Sequence, residues 1–122
     1  MKATSIFAAL LALALVFDTG ALAQDFDRGK AAFEAGDYAA ALTEWRPLAE
    51  KGDAWAQNGL GVLYANGFGV AQDFAQALEW YRKAAAQGHA RAQTSIGFMY
   101  AEGQGVAQDF AQALEWYRKA AA

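Results

Sequence analysis

The sequence predicts an all-α protein, a right-handed solenoid of three antiparallel helix hairpins preceded by a signal peptide, and three observations carry that expectation. The seventeen residues VAQDFAQALEWYRKAAA stand at Val70–Ala86 and again, letter for letter, at Val106–Ala122. The same 36-residue shift lays Ala54, Ala56, Gln57, Leu60, Gly61 and Tyr64 on Ala90, Ala92, Gln93, Ile96, Gly97 and Tyr100. A period of this size marks stacked units, none of which can bury its apolar face alone. Within a unit, Phe74, Ala77, Leu78, Tyr81 and Ala85 stand at i, i+3, i+4, i+7 and i+11, which is the face of a helix and not the alternation of a strand.

In chain order, Met1-Lys2 and the apolar run Ile6–Phe17 come first. A bilayer-spanning helix needs about 20 apolar residues, and Asp18 ends this run sooner. Ala21-Leu22-Ala23 supplies the small residues a signal peptidase reads, so cleavage is expected after Ala23, with no stable membrane insertion afterwards. The organisation expected is a signal peptide over 1–23, a tetratricopeptide-like opening hairpin over 24–52, one full repeat over 53–88 and a second over 89–122.

The opening hairpin pairs Asp25–Ala35 with Tyr38–Lys51, and Pro47 should kink its second helix by removing a hydrogen bond. Its Asp37, Tyr38, Ala41, Leu42 and Arg46 are a faint copy of Asp73, Phe74, Ala77, Leu78 and Arg82. In the repeats, Asp53–Ala65 turns Ala56, Leu60, Leu63 and Tyr64 inward, and His89–Ala101 does the same with Ala92, Ile96, Met99 and Tyr100. Gly61 and Gly97 lie among them. A helical glycine costs about 0.5–1 kcal/mol against alanine, a cost that makes sense where a neighbouring helix comes close.

Gly67, Gly69, Gly103 and Gly105 are expected to reverse the chain between paired helices. Asp73 and Asp109 are the expected N-caps of the second helices, with Gln76 and Gln112 as capping-box partners. Gly88 is the stop. Glu79–Lys83 and Glu115–Lys119 add i,i+4 pairs worth only about 0.2–0.5 kcal/mol each, so packing decides the fold.

Composition excludes several functions. The chain has no cysteine, hence no disulfide frame, thiolate metal site or lipid-bearing cysteine. Ten Lys and Arg stand against thirteen Asp and Glu; Lys2 and Asp18 leave with the leader, and the remainder keeps a net charge of −3. Nucleic acid is therefore not an expected partner, since phosphate binding rests on clustered Lys and Arg. No cofactor or metal is expected either: His89 is the only histidine and stands where Asp53 stands one unit earlier, at a helix start. The Gly67-Phe68-Gly69 and Gly103-Gln104-Gly105 turns lack the strand, third glycine and Lys of a phosphate loop. Ser95, the only serine after the leader, lacks the lysine three residues on that a penicillin-recognising serine enzyme uses. No catalytic residue is assigned.

The residues so collected resemble the SEL-one-like repeat, a branch of the tetratricopeptide superfamily. Ala54, Ala56, Gln57, Leu60, Gly61, Tyr64, Gly67, Gly69, Val70 and Asp73, then Ala77, Trp80, Tyr81, Lys83, Ala84 and Ala85, follow its pattern, and the next copy differs by Ile96 in place of leucine. The resemblance covers Asp53–Ala122. It implies a secreted or periplasmic bacterial scaffold that holds proteins or peptides on a solenoid surface, with no catalytic residues common to the family. Some cysteine-rich members carry a penicillin-binding or penicillin-hydrolysing label; a small envelope hydrolase of that kind is the alternative reading, and the absent cysteines argue against it.

The resemblance also implies that the first helix of each unit lines a concave face. The outward stripe comprises Trp55, Asn58, Gly59, Val62 and Asn66 in one unit and Arg91, Thr94, Ser95, Phe98 and Glu102 in the next. Trp55, Asn58, Val62, Arg91, Thr94 and Phe98 are the candidate partner-binding residues, the apolar and polar mixture that interfaces favour. Two alternatives stand beside that role: isolated exposed apolar residues, which are common, or contact with the adjacent unit. The duplicated block raises one more expectation. Phe110–Ala122 has the sequence of an interior helix with no following unit to cover it, so either further repeats follow or segment 109–122 stacks end to end with a partner.

Overall fold

A computed structural model describes residues 26–122. The expected signal peptide and the cleavage after Ala23 lie outside those residues. Helix α1 covers 26–34, followed by α2 (Tyr38–Glu50), α3 (Ala54–Asn66), α4 (Phe74–Ala86), α5 (Ala90–Glu102) and α6 (Phe110–Ala121), and no strand occurs among the described residues. From α2 onward each helix packs on the next in the chain, α3 also touches α5, and α1 meets α2 through Phe26 and Phe33 against Trp45. The molecule is a solenoid of three hairpins, with first helices α1, α3 and α5 in one layer and second helices α2, α4 and α6 in the other. Pro47 falls in the last turn of α2, which runs on through it to Glu50.

The caps form as the sequence implies, with one change. Asp37, Asp53, Asp73 and Asp109 each accept a backbone N–H within the first helical turn at 2.9–3.2 Å. The return half of the expected capping box is replaced: the N–H of Asp73 donates to the Tyr64 carbonyl, and that of Asp109 to the Tyr100 carbonyl, both at 2.9 Å. The donor that Gln76 would have satisfied is used to tie the start of a second helix to its own first helix. The expected i,i+4 ion pairs also do not form among the described residues. Lys83 Nζ instead sits 4.5 Å from the Trp80 ring centroid, and Lys119 Nζ 4.3 Å from that of Trp116. An exposed ion pair is worth little, and a cation over an indole face competes with it on equal terms.

The hairpins are spaced by aromatic rings. A Cβ added to Gly61 would fall 2.5 Å from the Tyr81 ring, one added to Gly97 2.7 Å from the Tyr117 ring, and one added to Gly59 2.6 Å from the Trp45 ring. Gly59 and Gly61 are absences of side chain that admit a ring, and at Gly97 the neighbouring helix backbone comes close as expected too, with the Ala113 carbonyl oxygen 3.1 Å from where a Cβ would stand. Gly69 and Gly105 serve the seam between hairpins: at φ +71° and +72° they press on the first turns of α2 and α4, where a Cβ would lie 2.8 Å from the Tyr38 carbonyl carbon and 2.9 Å from the Phe74 oxygen.

The single stripe read from the sequence is half of what α4 buries. Ala77, Leu78, Tyr81 and Ala85 are buried as expected, but Trp80 and Ala84 are buried too. Trp80 belongs to the core formed by α2 and α3, whereas Leu78 and Tyr81 belong to the core shared with α5. An interior second helix has a neighbour on either side. The identical α6 shows the contrast: Leu78 is 4% exposed and Leu114 49%, Tyr81 4% and Tyr117 36%, while Phe110 is 68% exposed. Of the α6 residues only Ala113 is buried.

This difference generates a prediction. Gly61→Ala forces a methyl into the enclosed Tyr81 ring and should cost roughly 1–3 kcal/mol, the usual range for overpacking. Gly97→Ala should cost less, because the half-open Tyr117 ring can swing aside. Urea denaturation followed by circular dichroism reads the difference, and equal losses would contradict it.

Candidate partner-binding groove

All six residues proposed from the outward stripe come together on the open side of the first-helix layer. Three depressions lie side by side there. The first, of about 410 Å³, is lined by residues including Phe26, Phe33, Trp45, Trp55, Asn58 and Arg91. The second, about 450 Å³, shares Asn58, Val62 and Arg91 and adds Thr94 and Ser95. The third, about 500 Å³, shares Thr94 and Ser95 and adds Phe98, Tyr81 and Tyr117. The shared walls make one furrow that crosses the repeats.

Within it Trp55 is 53% and Phe98 51% exposed, large apolar groups left in solvent. Val62 is half-buried against the core shared by α4 and α5. Gly59, expected on the outward stripe, is buried under Trp45, because the α2 ring reaches past α1 to the next first helix. Of the alternatives for Trp55, contact with the adjacent units is present. Its ring stands edge-on to His89 at 4.5 Å and to Phe26 at 6.2 Å, and the Arg91 guanidinium lies 5.8 Å from its centroid. It is an exposed face with both flanking hairpins at its edges.

Sequence reasoning missed the contribution of α1, whose Phe26, Lys30, Phe33 and Glu34 line the first depression. The loop between α1 and α2 is shorter than the one between α3 and α4, so α1 falls out of register with the 36-residue shift. Gly29 would have revealed the true alignment, since Trp45 packs on it as Tyr81 packs on Gly61. The repeats also differ where it matters. At the three pairs of stripe positions the residues change outright, Trp55 to Arg91, Asn58 to Thr94 and Val62 to Phe98, while the inward Ala56, Gln57, Gly61 and Tyr64 recur unchanged.

His89 caps α5 through Nδ1, which accepts the Ala92 N–H at 3.3 Å, so that nitrogen carries no proton, and its Nε2 is shut from solvent without a partner among the described residues. Burial, and then the charge of Arg91, push its pKa below the usual 6.5 against a smaller opposing pull from Asp53. Ser95 Oγ donates to the Arg91 carbonyl in its own helix at 3.0 Å. Burial raises the phenol pKa of Tyr81, which lines the same depression, and a neutral phenol is no base for a serine nucleophile. No group of His, Asp and Glu among the described residues is placed to hold a metal, and no helix among them is long and apolar enough to cross a membrane.

A stack of α-hairpins with a furrow along its first helices defines a helical-repeat protein of the tetratricopeptide-like class. The chain belongs to the Sel1 repeat family, whose model matches residues 56–89 and 90–122. It is similar to the crystal structure of a Sel1 repeat protein from Oxalobacter formigenes, at 44% identity and TM-score 0.67 over 69% of this chain and 64% of that one. It is also similar to c5321, a protective antigen present in uropathogenic Escherichia coli strains that displays an SLR fold, at 38% identity and TM-score 0.78 over 85% of this chain and 23% of that one. The chain thus spans less than two thirds of either relative. Among proteins of curated function, none matches.

The His89 cap makes stability depend on pH in a defined direction. The unfolded imidazole takes up a proton near pH 6.5 and the folded one resists until lower pH, so the unfolded state binds more protons in between. Stability from this site is complete above about pH 6.5 and is lost as pH falls towards the folded pKa. Melting curves from pH 7.5 to 5 should show the loss, and His89→Asp, which repeats the Asp53 cap, should remove that component.

Proposed function

We propose that the chain is a non-catalytic scaffold, exported across the inner membrane to the periplasm or beyond, that holds a protein or peptide along the furrow on α1, α3 and α5. Sel1 repeat proteins are helical-repeat scaffolds that bind other proteins. The observation that carries the reading here is the placement of half-exposed Trp55 and Phe98 in one continuous furrow with Asn58, Arg91 and Thr94 between them. Aromatic and arginine side chains are enriched at interfaces, and a few such anchors dominate binding energy. Divergence of the stripe between otherwise near-identical repeats supports the same reading, since packing alone does not require it. Export rests on the Met1–Ala23 sequence.

A second contact is supported by α6. Phe110, Leu114 and Tyr117 form an exposed stripe whose twin on α4 is covered by α5, so 109–122 is suited to seat another helix, including one from a second copy stacked end to end.

Crosslinking of the chain in its own envelope fraction tests the main reading. Trp55→Ala and Phe98→Ala should each reduce partner capture by roughly tenfold or more, the loss expected of an interface anchor, with helical content intact. Trp55→Ala should also lower the melting temperature through its lost contacts with Phe26 and His89. Unchanged capture in both variants would contradict the proposal. For α6, sedimentation should show a concentration-dependent larger species that Leu114→Glu abolishes; a strictly monomeric chain at high concentration would exclude self-association.

A further inference from the structure

The third depression, of about 500 Å³, differs in chemistry from the two beside it. Every described residue that lines it is uncharged, whereas Lys30, Glu34 and Arg91 line the first depression and Arg91 the second. Comparison with the preceding hairpin shows what opens the space. There the Phe68 ring of the α3–α4 loop stacks on Tyr38 at 4.4 Å and meets Phe33 at 6.3 Å. One 36-residue shift later Gln104 stands where Phe68 stands, Phe74 where Tyr38 stands and Tyr81 where Trp45 stands. Four residues after the ring-bearing glycines, Phe33 follows Gly29 and Ala65 follows Gly61. Two rings that fill the earlier hairpin are thus replaced by an amide and a methyl group, and the depression opens beside them.

Its polar groups keep capacity to spare and are open to solvent. Asn66 spends Nδ2 on the Val62 carbonyl and Gln72 spends Nε2 on the Ala65 carbonyl, both at 2.9 Å, so each retains its amide oxygen as an acceptor. Thr94 Oγ1 donates to the Ala90 carbonyl at 3.1 Å and keeps its lone pairs. No bond engages the Gln104 amide among the described residues. These groups come from the end of α3, from both loops and from α5, so they surround a compact occupant. Phe98 and Tyr117 supply exposed ring surface at the same place.

An aromatic face is negative and attracts the C–H face of a ligand, while free amides and hydroxyls give and take hydrogen bonds around its rim. A pyranose ring combines those two features. A charged ligand would lose its hydration here with no opposite charge to replace it. We propose that the third depression binds a neutral saccharide, one pyranose lying against Phe98 with its hydroxyls bonded to Asn66, Gln72 and Gln104. The site adds a ligand class to the protein capture proposed above and does not depend on it.

Saturation-transfer NMR on the chain tests this, with cellobiose, maltose and N,N′-diacetylchitobiose as probes. At least one of them should receive saturation from the protein, and cellobiouronic acid, the carboxylate twin of cellobiose, should bind roughly tenfold more weakly than the best neutral probe, the loss expected for an unpaired charge. Gln104→Phe, which restores the ring of the first hairpin, should abolish transfer without lowering the melting temperature. Phe98→Ala should weaken binding roughly tenfold, as loss of a stacking anchor does, and Phe98→Tyr should retain it. No transfer to any neutral probe at roughly 10 mM, equal binding of the uronic acid, or transfer that survives Gln104→Phe would overturn the inference. So would transfer lost in Trp55→Ala but kept in Gln104→Phe, which would move the sugar to the first depression. A blocked neutral tripeptide saturated as strongly as the sugars would assign the depression to polypeptide instead.

Discussion

One aromatic ring on each second helix, pressed between small residues of the two first helices that flank it, sets the spacing of the solenoid. Trp45 lies between Gly29 and Gly59, and Tyr81 lies on Gly61 and lines one depression together with Ser95. The sizes compensate. The larger indole meets glycine on both sides and donates its N–H to the Phe26 carbonyl at 3.1 Å, while the smaller phenol meets glycine on one side. Interiors at crystal-like density transmit such differences of a few atoms directly into the distance between elements. Tyr117 has Gly97 on one side and solvent on the other, and the α6 face is open in consequence.

Around these rings runs a polar seam that repeats with the same period. Gln57 donates to the Ala49 carbonyl and Gln93 to the Ala85 carbonyl, at 3.1 and 3.2 Å. Arg46 donates to the Tyr64 hydroxyl at 2.7 Å and Arg82 to the Tyr100 hydroxyl at 3.4 Å. Each junction between hairpins is thereby complete in itself, and stability becomes a sum over nearest neighbours. The outward side of α3 and α5 is left out of this accounting and is free to vary. Trp55, Asn58 and Val62 can give way to Arg91, Thr94 and Phe98 without disturbing ring or seam.

Much of the architecture was legible in the residues because it is encoded locally. The period, the aspartate caps and the left-handed glycines at 67, 69, 103 and 105 each follow from neighbours a few positions away, and the structure places them as expected. Burial that depends on the next hairpin was not legible. Trp80 and Ala84 lie off the stripe of Leu78 and Tyr81, and only the presence of helices on both sides explains why they are enclosed. Gly59 looked outward because a helical wheel cannot know that Trp45 reaches across from the preceding unit. The six stripe residues line adjoining depressions, since i, i+3, i+4 and i+7 positions converge whatever their neighbours, whereas the part α1 plays in that lining was missed because its shortened loop breaks the register.

The identical helices α4 and α6 provide an internal control for the spacing ring. Urea denaturation of Tyr81→Ala and Tyr117→Ala compares the same residue in the same local sequence, once between two hairpins and once at an open face. Tyr81→Ala should cost roughly 3–5 kcal/mol, the range for deleting a buried aromatic, and Tyr117→Ala less than half as much. Equal losses would show that the ring does not act by being enclosed between successive first helices.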